Sequence, residues 1–534
     1  MNILCFPALS WRNYDRRHFD ILLIFKILDL LKCRNFNLII SRFFLKLFSC
    51  LIIKYKMAGG GLIQLVSIGA QDVYLVGNPQ ITFFKVTYQR HTNFARECIE
   101  QTIQGTQGFN QRLTITISRS GDLVGPMHVE IDLPALISSV DGTTLSVYNS
   151  ASVSGVSGTG NMNWCWVNYI GYRILKEVTI EIGGQPIDRH YSTWFYMWFE
   201  LSTPSAKREG LQKMVGGYDV TEVPLGLTTN ALVPQTLYVP LVFWFNTHPG
   251  LALPLIALQY HEVKLYIQTE LLNNCVVLLS SAGTAFSSVL GLEWAVPGSF
   301  STPSVQTVDE KVPTITMSVW ADYYYLDSEE RRRFAQLSHE YLIKQVQQIT
   351  TTFSSFTDRA QNQSIDYRTF NHPVSFNVWG FRKTQPGASV DWTNFTNSPP
   401  FLQFFGLSIV DQHKLVLNGN DRYNDKNADY YNLVQPYNHF TAIPPVGLLC
   451  YSYALQPVEH QPSGTLNFSR IDNASNRFSV IDSVGKLNGL LGQIGGTTNV
   501  WSQSKDTPYE GVVYAVNYNV LRIMSGMGGL AYSN

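Results

Sequence analysis

The sequence is short of charged residues. Asp, Glu, Lys and Arg make up 15% of its 534 residues, against roughly 25% in an average soluble protein. Hydrophobic residues reach 45%, and Tyr and Phe number 28 and 30. Disorder would need the opposite balance, with high net charge and few aromatic residues. The composition therefore predicts a folded chain of two to four domains with large buried or contacting surfaces.

The few charges are unevenly distributed. Residues 1–56 hold ten Lys and Arg against three Asp and Glu, a net charge of +7. Because the chain as a whole is neutral, the remainder carries −7. A mildly acidic body lacks the clustered Lys and Arg that bind a nucleic-acid backbone. We therefore expect no direct contact with nucleic acid.

Cysteine is scarce, and no CxxC pair occurs. The seven cysteines are isolated along the chain: Cys5, Cys33, Cys50, Cys98, Cys165, Cys275 and Cys450. This spacing argues against both a disulfide framework and a zinc site. We expect buried, reduced thiols, which suit assembly in a reducing compartment.

Catalytic motifs are also missing. The sequence has no GxxxxGK[ST], HExxH or GxSxG segment. It therefore lacks the motifs of phosphate-loop proteins, zinc proteases and serine hydrolases. His261 and Glu262, with Asp322, could be imagined as an acid/base group, but we interpret them as satisfied polar side chains on strands. We predict no enzyme activity, no catalytic residue, no metal and no cofactor.

No apolar run is long enough to span a membrane. The stretch that begins at Ile21 is broken by Lys26, Asp29 and Lys32, short of the ~18–20 residues that a span needs. The composition then changes abruptly at Met57. We predict that residues 1–56 are an extension absent from the mature protein and that Met57 is the start. A basic amphipathic membrane anchor is the alternative.

From about residue 81 onward, short strand-like runs alternate with turn residues. Apolar and polar residues alternate in 113–118, 127–133 and 178–182, as in half-buried strands. Further strands are predicted over 237–245, 263–267 and 315–320. Many short strands without alternating helices predict a β-sandwich or barrel.

Two segments depart from this pattern. A helix is predicted from Ser328, with Ser328 as its cap and Arg331–Arg333 on a solvated or interface face. Residues 270–310, rich in Ser, Gly and Val, are predicted to be a long surface loop. We expect a domain boundary near 338–350, after the short helix.

A weak internal repeat indicates two copies of one β-domain. Residues 178–191 and 414–423 both read as a strand, a two-residue turn (Gly183–Gly184 or Asn418–Gly419), and then Asp-Arg. Residues 257–262 recur in the same order as 454–459. Two matches in order favour duplication, with the first copy enlarged by insertions.

Several blocks of the chain are distinctive: 57–66 (MAGGGLIQLV), 69–85, 88–94 (YQRHTNF), 321–336 with 339–343, and 519–534. These blocks resemble the major capsid proteins of nucleocytoplasmic large DNA viruses, the group of the chlorella viruses, iridoviruses and marseilleviruses. They occur in family order over 57–534. Gln89, where a basic residue is expected, and the long 270–310 insertion depart from the pattern.

The resemblance implies an all-β double jelly roll with a few short helices. It divides the chain into an arm (57–82), a first eight-stranded jelly roll (83–340) and a second (341–534). It further implies a homotrimer that forms pseudo-hexameric capsomers in an icosahedral shell, assembled in the host cytoplasm. Neighbouring capsomers, minor capsid proteins and penton proteins are its implied partners, with an internal viral membrane nearby but not spanned.

Four Asn-x-Ser/Thr sequons are candidate glycosylation sites, because some relatives carry glycans on outward loops. They are Asn362, Asn394, Asn467 and Asn473. Jelly rolls also serve as lectins, so the alternative function is a carbohydrate-binding surface protein or spike. Exposed aromatic residues in loops, such as Trp392, would then form its binding platform.

Overall fold

The computed structural model describes residues 60–67, 69–134, 139–140, 143–144, 162–217, 234–281, 292–295, 314–353, 363–384, 392–396, 408–480 and 508–532. The chain divides into two compact units, Met1–Arg90 and His91–Asn534. The described part of the first unit contains two short helices, α1 (Gly60–Val66) and α2 (Val73–Val76). All described strands lie in the second unit.

The second unit contains two groups of strands separated by one helix. The first group is β1 (Phe94–Gln101), β2 (Ile103–Gln104), β3 (Arg112–Thr116), β4 (Leu123–Leu133), β5 (Ser139–Val140), β6 (Thr143–Thr144), β7 (Met162–Trp166), β8 (Leu175–Ile182), β9 (Gln185–Tyr191), β10 (Gln235–Pro240), β11 (Leu253–Pro254), β12 (Val263–Thr269), β13 (Val276–Ser281), β14 (Leu292–Ala295) and β15 (Thr316–Leu326). The second group is β16 (His339–Phe353), β17 (Gln363–Asp366), β18 (Pro373–Lys383), β19 (Val410–Leu417), β20 (Asn420–Asp421), β21 (Lys426–Asn427), β22 (Leu448–Ser452), β23 (Leu466–Asn467), β24 (Ala474–Val480), β25 (Tyr509–Met524) and β26 (Met527–Leu530).

Six α-helices accompany these strands in the described part of the second unit. They are α3 (Ile170–Ile174), α4 (Ser192–Ser202), α5 (Ser205–Met214), α6 (Trp244–Thr247), α7 (Ser328–Gln336) and α8 (Gln435–His439). A π-helical turn, Tyr430–Val434, leads directly into α8.

The first group of strands forms two main antiparallel sheets. One has the order β1-β15-β4-β10, with β11 also paired to β4, and the other has the order β2-β3-β12-β8-β9. Side chains alternate between core and surface as a strand requires: Val129 and Ile131 of β4 and Leu265 and Ile267 of β12 are fully buried. The apolar faces of the two sheets thus supply the core of a sandwich.

The second group repeats the arrangement. Its sheets have the orders β16-β25-β18-β22 and β17-β24-β19-β20. The eight principal strands of the first group, in chain order, are β1, β3, β4, β8, β9, β10, β12 and β15, and those of the second are β16, β17, β18, β19, β20, β22, β24 and β25. In both groups, one sheet contains the first, eighth, third and sixth of these strands. The other sheet in each contains the second, seventh, fourth and fifth. This shared order is that of an eight-stranded jelly roll, so the predicted double jelly roll is confirmed.

The repeated hairpin is present in both rolls. Gly183 and Gly184 connect β8 to β9, and Asn418 and Gly419 connect β19 to β20. All four residues have positive φ, as a two-residue type I′ turn requires. The turn glycines and the asparagine therefore occur where an ordinary side chain would be strained.

Several local predictions were wrong. The first strand begins at Phe94 rather than near residue 81, and Trp244–Thr247 is helical rather than extended. Asp327, not Ser328, is the N-cap of α7. Within the predicted 270–310 loop, β13 pairs with β14 on one side and with β7 on the other. Residues 282–291 and 296–310 lie outside the described residues. Neither strand alternates clearly between apolar and polar residues, which explains why the pattern missed both.

Candidate assembly surfaces

Helix α4 joins the two rolls. Its sequence, STWFYMWFELS, is apolar on nearly every side, and such a helix must be buried all round. Trp194 and Trp198 stack on each other with ring centroids 5.6 Å apart, and both stack on Phe376 of β18 in the second roll. One continuous hydrophobic cluster consequently contains residues of both rolls.

Polar groups reinforce this junction along β9 and β16. The backbone N–H of Val346 donates to Asp188 Oδ1 at 3.0 Å, and the Gln345 side chain donates to the Ile187 carbonyl. Asp188 Oδ2 lies 2.9 Å from His190 Nε2, and both side chains are only 2% exposed. A buried carboxylate is tolerated when donors such as the Val346 N–H hydrogen-bond to it.

Trp392 also lies at the junction and is not a surface platform. Its side chain is 1% exposed, and its indole N–H donates to the Asn168 carbonyl of the first roll at 2.9 Å. The Arg173 guanidinium stands over the Trp392 ring at 5.5 Å. Burial lowers the pKa of Arg173 from its ordinary value. The prediction of an exposed aromatic site at Trp392 is therefore wrong.

One exposed apolar patch in the second roll is built from the π-helical turn, α8 and the loop that follows. We call it the apolar platform: Leu433, Val434, Tyr437, Ile443 and Val446, exposed by 47%, 43%, 78%, 45% and 47%. The Asn432 amide fixes its two halves together, because it donates to the carbonyls of Pro445 (3.0 Å) and Leu448 (2.9 Å). Residues 430–447 contain no Asp, Glu, Lys or Arg.

The first unit has an apolar surface of its own. Ile63, Leu65 and Val66 of α1 are 66–82% exposed, while Phe83 and Phe84 are 88% and 98% exposed. Large exposed apolar side chains of this kind make the segment a candidate contact surface.

The described sequons differ in accessibility. Asn394 is 9% exposed, and its Oδ1 accepts hydrogen bonds from the N–H and hydroxyl of Thr396. Asn467 and Asn473 are exposed, although Asn467 Oδ1 accepts from the Ser469 N–H at 3.0 Å. Asn362 lies outside the described residues. Burial disfavours Asn394, whereas Asn467 and Asn473 remain predictions.

The residues considered for acid/base chemistry are not assembled into a site. His261 Nδ1 lies 3.0 Å from the Gly528 carbonyl, and Glu262 pairs with Lys264. Asp322 is 3.7 Å from Arg96. In the described part of the chain, no group of three His, Cys, Asp or Glu side chains could hold a metal ion. Nor is any helix there long and apolar enough to cross a bilayer.

The cysteines fit the prediction in part. Cys275 and Cys450 are buried free thiols, but Cys98 on β1 is exposed. Desolvation and a hydrogen bond with Asp322 raise the pKa of Cys98 to about 11, so the neutral thiol predominates at physiological pH. The Cys165 side chain lies outside the described residues.

Two family models match nearly the whole second unit. Residues 82–327 match the N-terminal domain of major capsid proteins, and residues 330–529 match the large eukaryotic DNA virus major capsid protein. The chain is 38% identical over 501 residues to the major capsid protein of Pyramimonas orientalis virus and 38% identical over 500 residues to that of Paramecium bursaria Chlorella virus 1. Each match covers 89% of this chain and 100% of the relative.

Solved structures agree with this assignment. PBCV-1 VP54 is 34% identical, with a TM-score of 0.61, and the match covers 85% of this chain and 100% of that one. The Faustovirus major capsid protein has a TM-score of 0.59 at 14% identity, covering 86% of this chain and 94% of that one, and shows the fold alone. The chain belongs to the large eukaryotic DNA virus major capsid protein family and is a structural, non-enzymatic subunit of the virion capsid.

Proposed function

We propose that three copies of this chain form a trimer with a pseudo-sixfold outline, and that such capsomers tile an icosahedral shell. One observation carries the proposal: two rolls with the same strand order are held together by a single hydrophobic cluster. Three chains then present six nearly equivalent domains, which gives threefold symmetry an almost hexagonal outline. A related PBCV-1 capsid model, 34% identical to this chain, supports assembly with neighbouring capsomers.

The apolar platform is the surface we assign to the contact with a second copy of this chain. Permanent homo-oligomer interfaces are rich in aromatic residues and depleted of charge, and this segment has both properties. The side chain of Tyr437, 78% exposed, is the natural anchor. Rigid backbone around Pro444 and Pro445, held by Asn432, lowers the entropy lost on binding.

Mass photometry of the purified chain tests both statements. The native chain should be trimeric, and Tyr437→Glu should be monomeric because a carboxylate cannot be desolvated in an apolar contact. Tyr238→Glu is the matched control, since Tyr238 on β10 is 41% exposed and lies outside the platform. A monomeric native chain would refute the trimer; a trimeric Tyr437→Glu variant would refute the platform as its contact.

We propose the arm, 57–82, as the link to neighbouring capsomers or minor capsid and penton proteins. Exposed apolar residues of α1, such as Leu65 and Val66, support this role. Deleting 57–80 should leave soluble trimers that fail to form shells, as judged by electron microscopy. Normal shells from the deleted chain would contradict the proposal.

The remaining proposals concern the boundaries, the compartment and the surface of the subunit. Jelly rolls at 83–340 and 341–534 fit the two family matches, and residues 57–534, about nine-tenths of the chain, fit the share that the relatives cover. N-terminal mass spectrometry of virions should find no peptide from 1–56.

Buried free thiols at Cys275 and Cys450 support assembly in the reducing host cytoplasm. We also propose that Asn467 and Asn473 carry glycans. In the virion, the subunit would lie near an internal membrane without spanning it and would make no contact with DNA.

A further inference from the structure

The two rolls are joined at a second place, formed by the last residues of the chain. The C-terminal strap, residues 524–532, comprises the turn after β25 and strand β26. Its turn residues, Ser525 and Gly526, have φ values of 52° and 81°. A type I′ turn of this kind sets the register of the hairpin and fixes where β26 lies.

The strap hydrogen-bonds to a loop of the first roll. The Tyr260 N–H donates to the Gly526 carbonyl at 3.0 Å. His261 Nδ1 lies 3.0 Å from the Gly528 carbonyl oxygen and 3.2 Å from the Gly528 nitrogen. The tautomer of His261 decides whether Nδ1 donates to the oxygen or accepts from the N–H. Arg119 also holds this loop, because its guanidinium donates to the Leu258 carbonyl at 2.7 Å.

Two glycines of the strap allow its close approach to this loop, and a third glycine, in the first roll, leaves room for His261. A Cβ on Gly528 would lie 2.7 Å from Leu258 Cδ2, and one on Gly526 would lie 2.6 Å from Tyr260 Cδ2. In the β8–β9 turn, a Cβ on Gly183 would lie 2.3 Å from His261 Nδ1. His261 is thus enclosed by glycine backbone from both rolls, and Leu258 is fully buried and has little room to move.

The strap is also tied to its own roll. The Asn519 side chain donates to the Tyr532 carbonyl at 2.9 Å and to Gln345 Oε1 at 3.0 Å. The Ala531 N–H donates to the Val520 carbonyl at 2.8 Å. A short hairpin anchored on one roll and docked on the other can transmit a fixed orientation between them.

We propose that the C-terminal strap is a latch that fixes the angle between the two rolls, and that a subunit with an undocked strap stays folded but cannot close the trimer. The second statement rests on the proposed trimer. A closed ring requires each chain to present both contact faces at one angle, so freedom between the rolls penalises closure.

Gly528→Ala tests the latch, with Gly529→Ala as its matched control. In the same hairpin, a Cβ on Gly529 would meet only the flexible Gln185 side chain, at 3.3 Å. Amide hydrogen exchange should become at least tenfold faster across β26 in Gly528→Ala, while amides of α4 keep their protection. Mass photometry should show at least a tenfold weaker trimer. Gly529→Ala should match the native chain in both measurements.

His261→Ala is a second variant, which removes the two contacts to Gly528 without adding bulk and should give the same two changes. Fast exchange in β26 with an intact trimer would overturn the latch and leave the proposed trimer standing. Unchanged protection of β26 in both variants would overturn the docking argument. A monomeric native chain with a protected β26 would overturn the proposed trimer instead. The statement that an undocked strap prevents trimer closure would then fall, whereas the docking of the strap on the first roll would stand.

Discussion

Acidification should destabilise the second roll through one histidine. His413 on β19 is fully buried among aromatic rings, with centroids of Tyr431, Trp379 and Phe478 at 5.4, 5.5 and 5.9 Å. Within the described residues neither ring nitrogen has a hydrogen-bond partner. The nearby Asn476 amide nitrogen donates to Tyr367 instead.

Burial lowers the pKa of His413 from 6.5 to about 3, and the polar Asn476 offsets only part of this shift. The folded state consequently binds fewer protons than the unfolded state between these values, so stability falls as the pH drops below 6.5. Each pH unit in this window corresponds to about 1.4 kcal/mol. Lowering the pH from 7 to 5 should therefore remove about 2 kcal/mol of unfolding free energy through His413 alone.

Urea denaturation at pH 7, 6 and 5 measures this effect. Carboxylates elsewhere contribute equally to the native chain and to His413→Leu, so the difference between their pH slopes isolates the histidine. His413→Gln keeps a polar side chain of similar size if the leucine variant folds poorly, and His91→Gln is the control at an exposed histidine. Equal slopes for the native chain and both His413 variants would refute the reasoning.

Two further predictions concern packing. Trp194→Ala should lower the unfolding free energy by about 3–5 kcal/mol in urea denaturation, because the ring is 3% exposed and stacks on Phe376. Trp194→Phe keeps an aromatic ring and should lose less unfolding free energy. Equal losses for the two variants would contradict stacking across the junction. Gly447→Ala should be more damaging than Gly419→Ala by thermal denaturation, since only at Gly447 would the new Cβ lie 2.2 Å from the Phe395 carbonyl. Gly419 has positive φ but open space, so alanine there should cost only about 1–2 kcal/mol, and the reverse order would count against the geometry.

Local patterns in the sequence predicted much of each sheet. Alternation identified the strands around Leu113, Val129 and Ile180, because each has one buried and one less buried face. The strand predicted over 237–245 was too long: β10 ends at Pro240, and Trp244 and Phe245 are buried in α6 rather than in a strand. An apolar run alone does not distinguish a buried strand from a buried turn of helix.

The assembly surfaces could be predicted only in part. Trp392 looked like an exposed loop residue because its sequence neighbours are polar, yet the surface that buries it comes from Asn168, far away in the chain. The role of α4 at the junction was missed for a similar reason: STWFYMWFELS signals burial but not the partner. The apolar platform had a readable signal, eighteen consecutive residues, 430–447, without a charged side chain.

The two copies of the hairpin turn differ at the position where the rolls have different neighbours. In the second roll, Asn418 uses its side chain within its own domain, accepting from the Asn473 N–H at 2.9 Å while its own N–H donates to the Asn473 carbonyl at 2.7 Å. In the first roll the equivalent residue is Gly183, where any Cβ would overlap His261. Both residues satisfy the positive φ of the turn, so backbone conformation alone does not account for the difference. The missing side chain at Gly183 is required by His261, the first-roll residue that itself contacts Gly528 of the strap. Divergence between two otherwise matching turns thus marks a contact that only one roll makes.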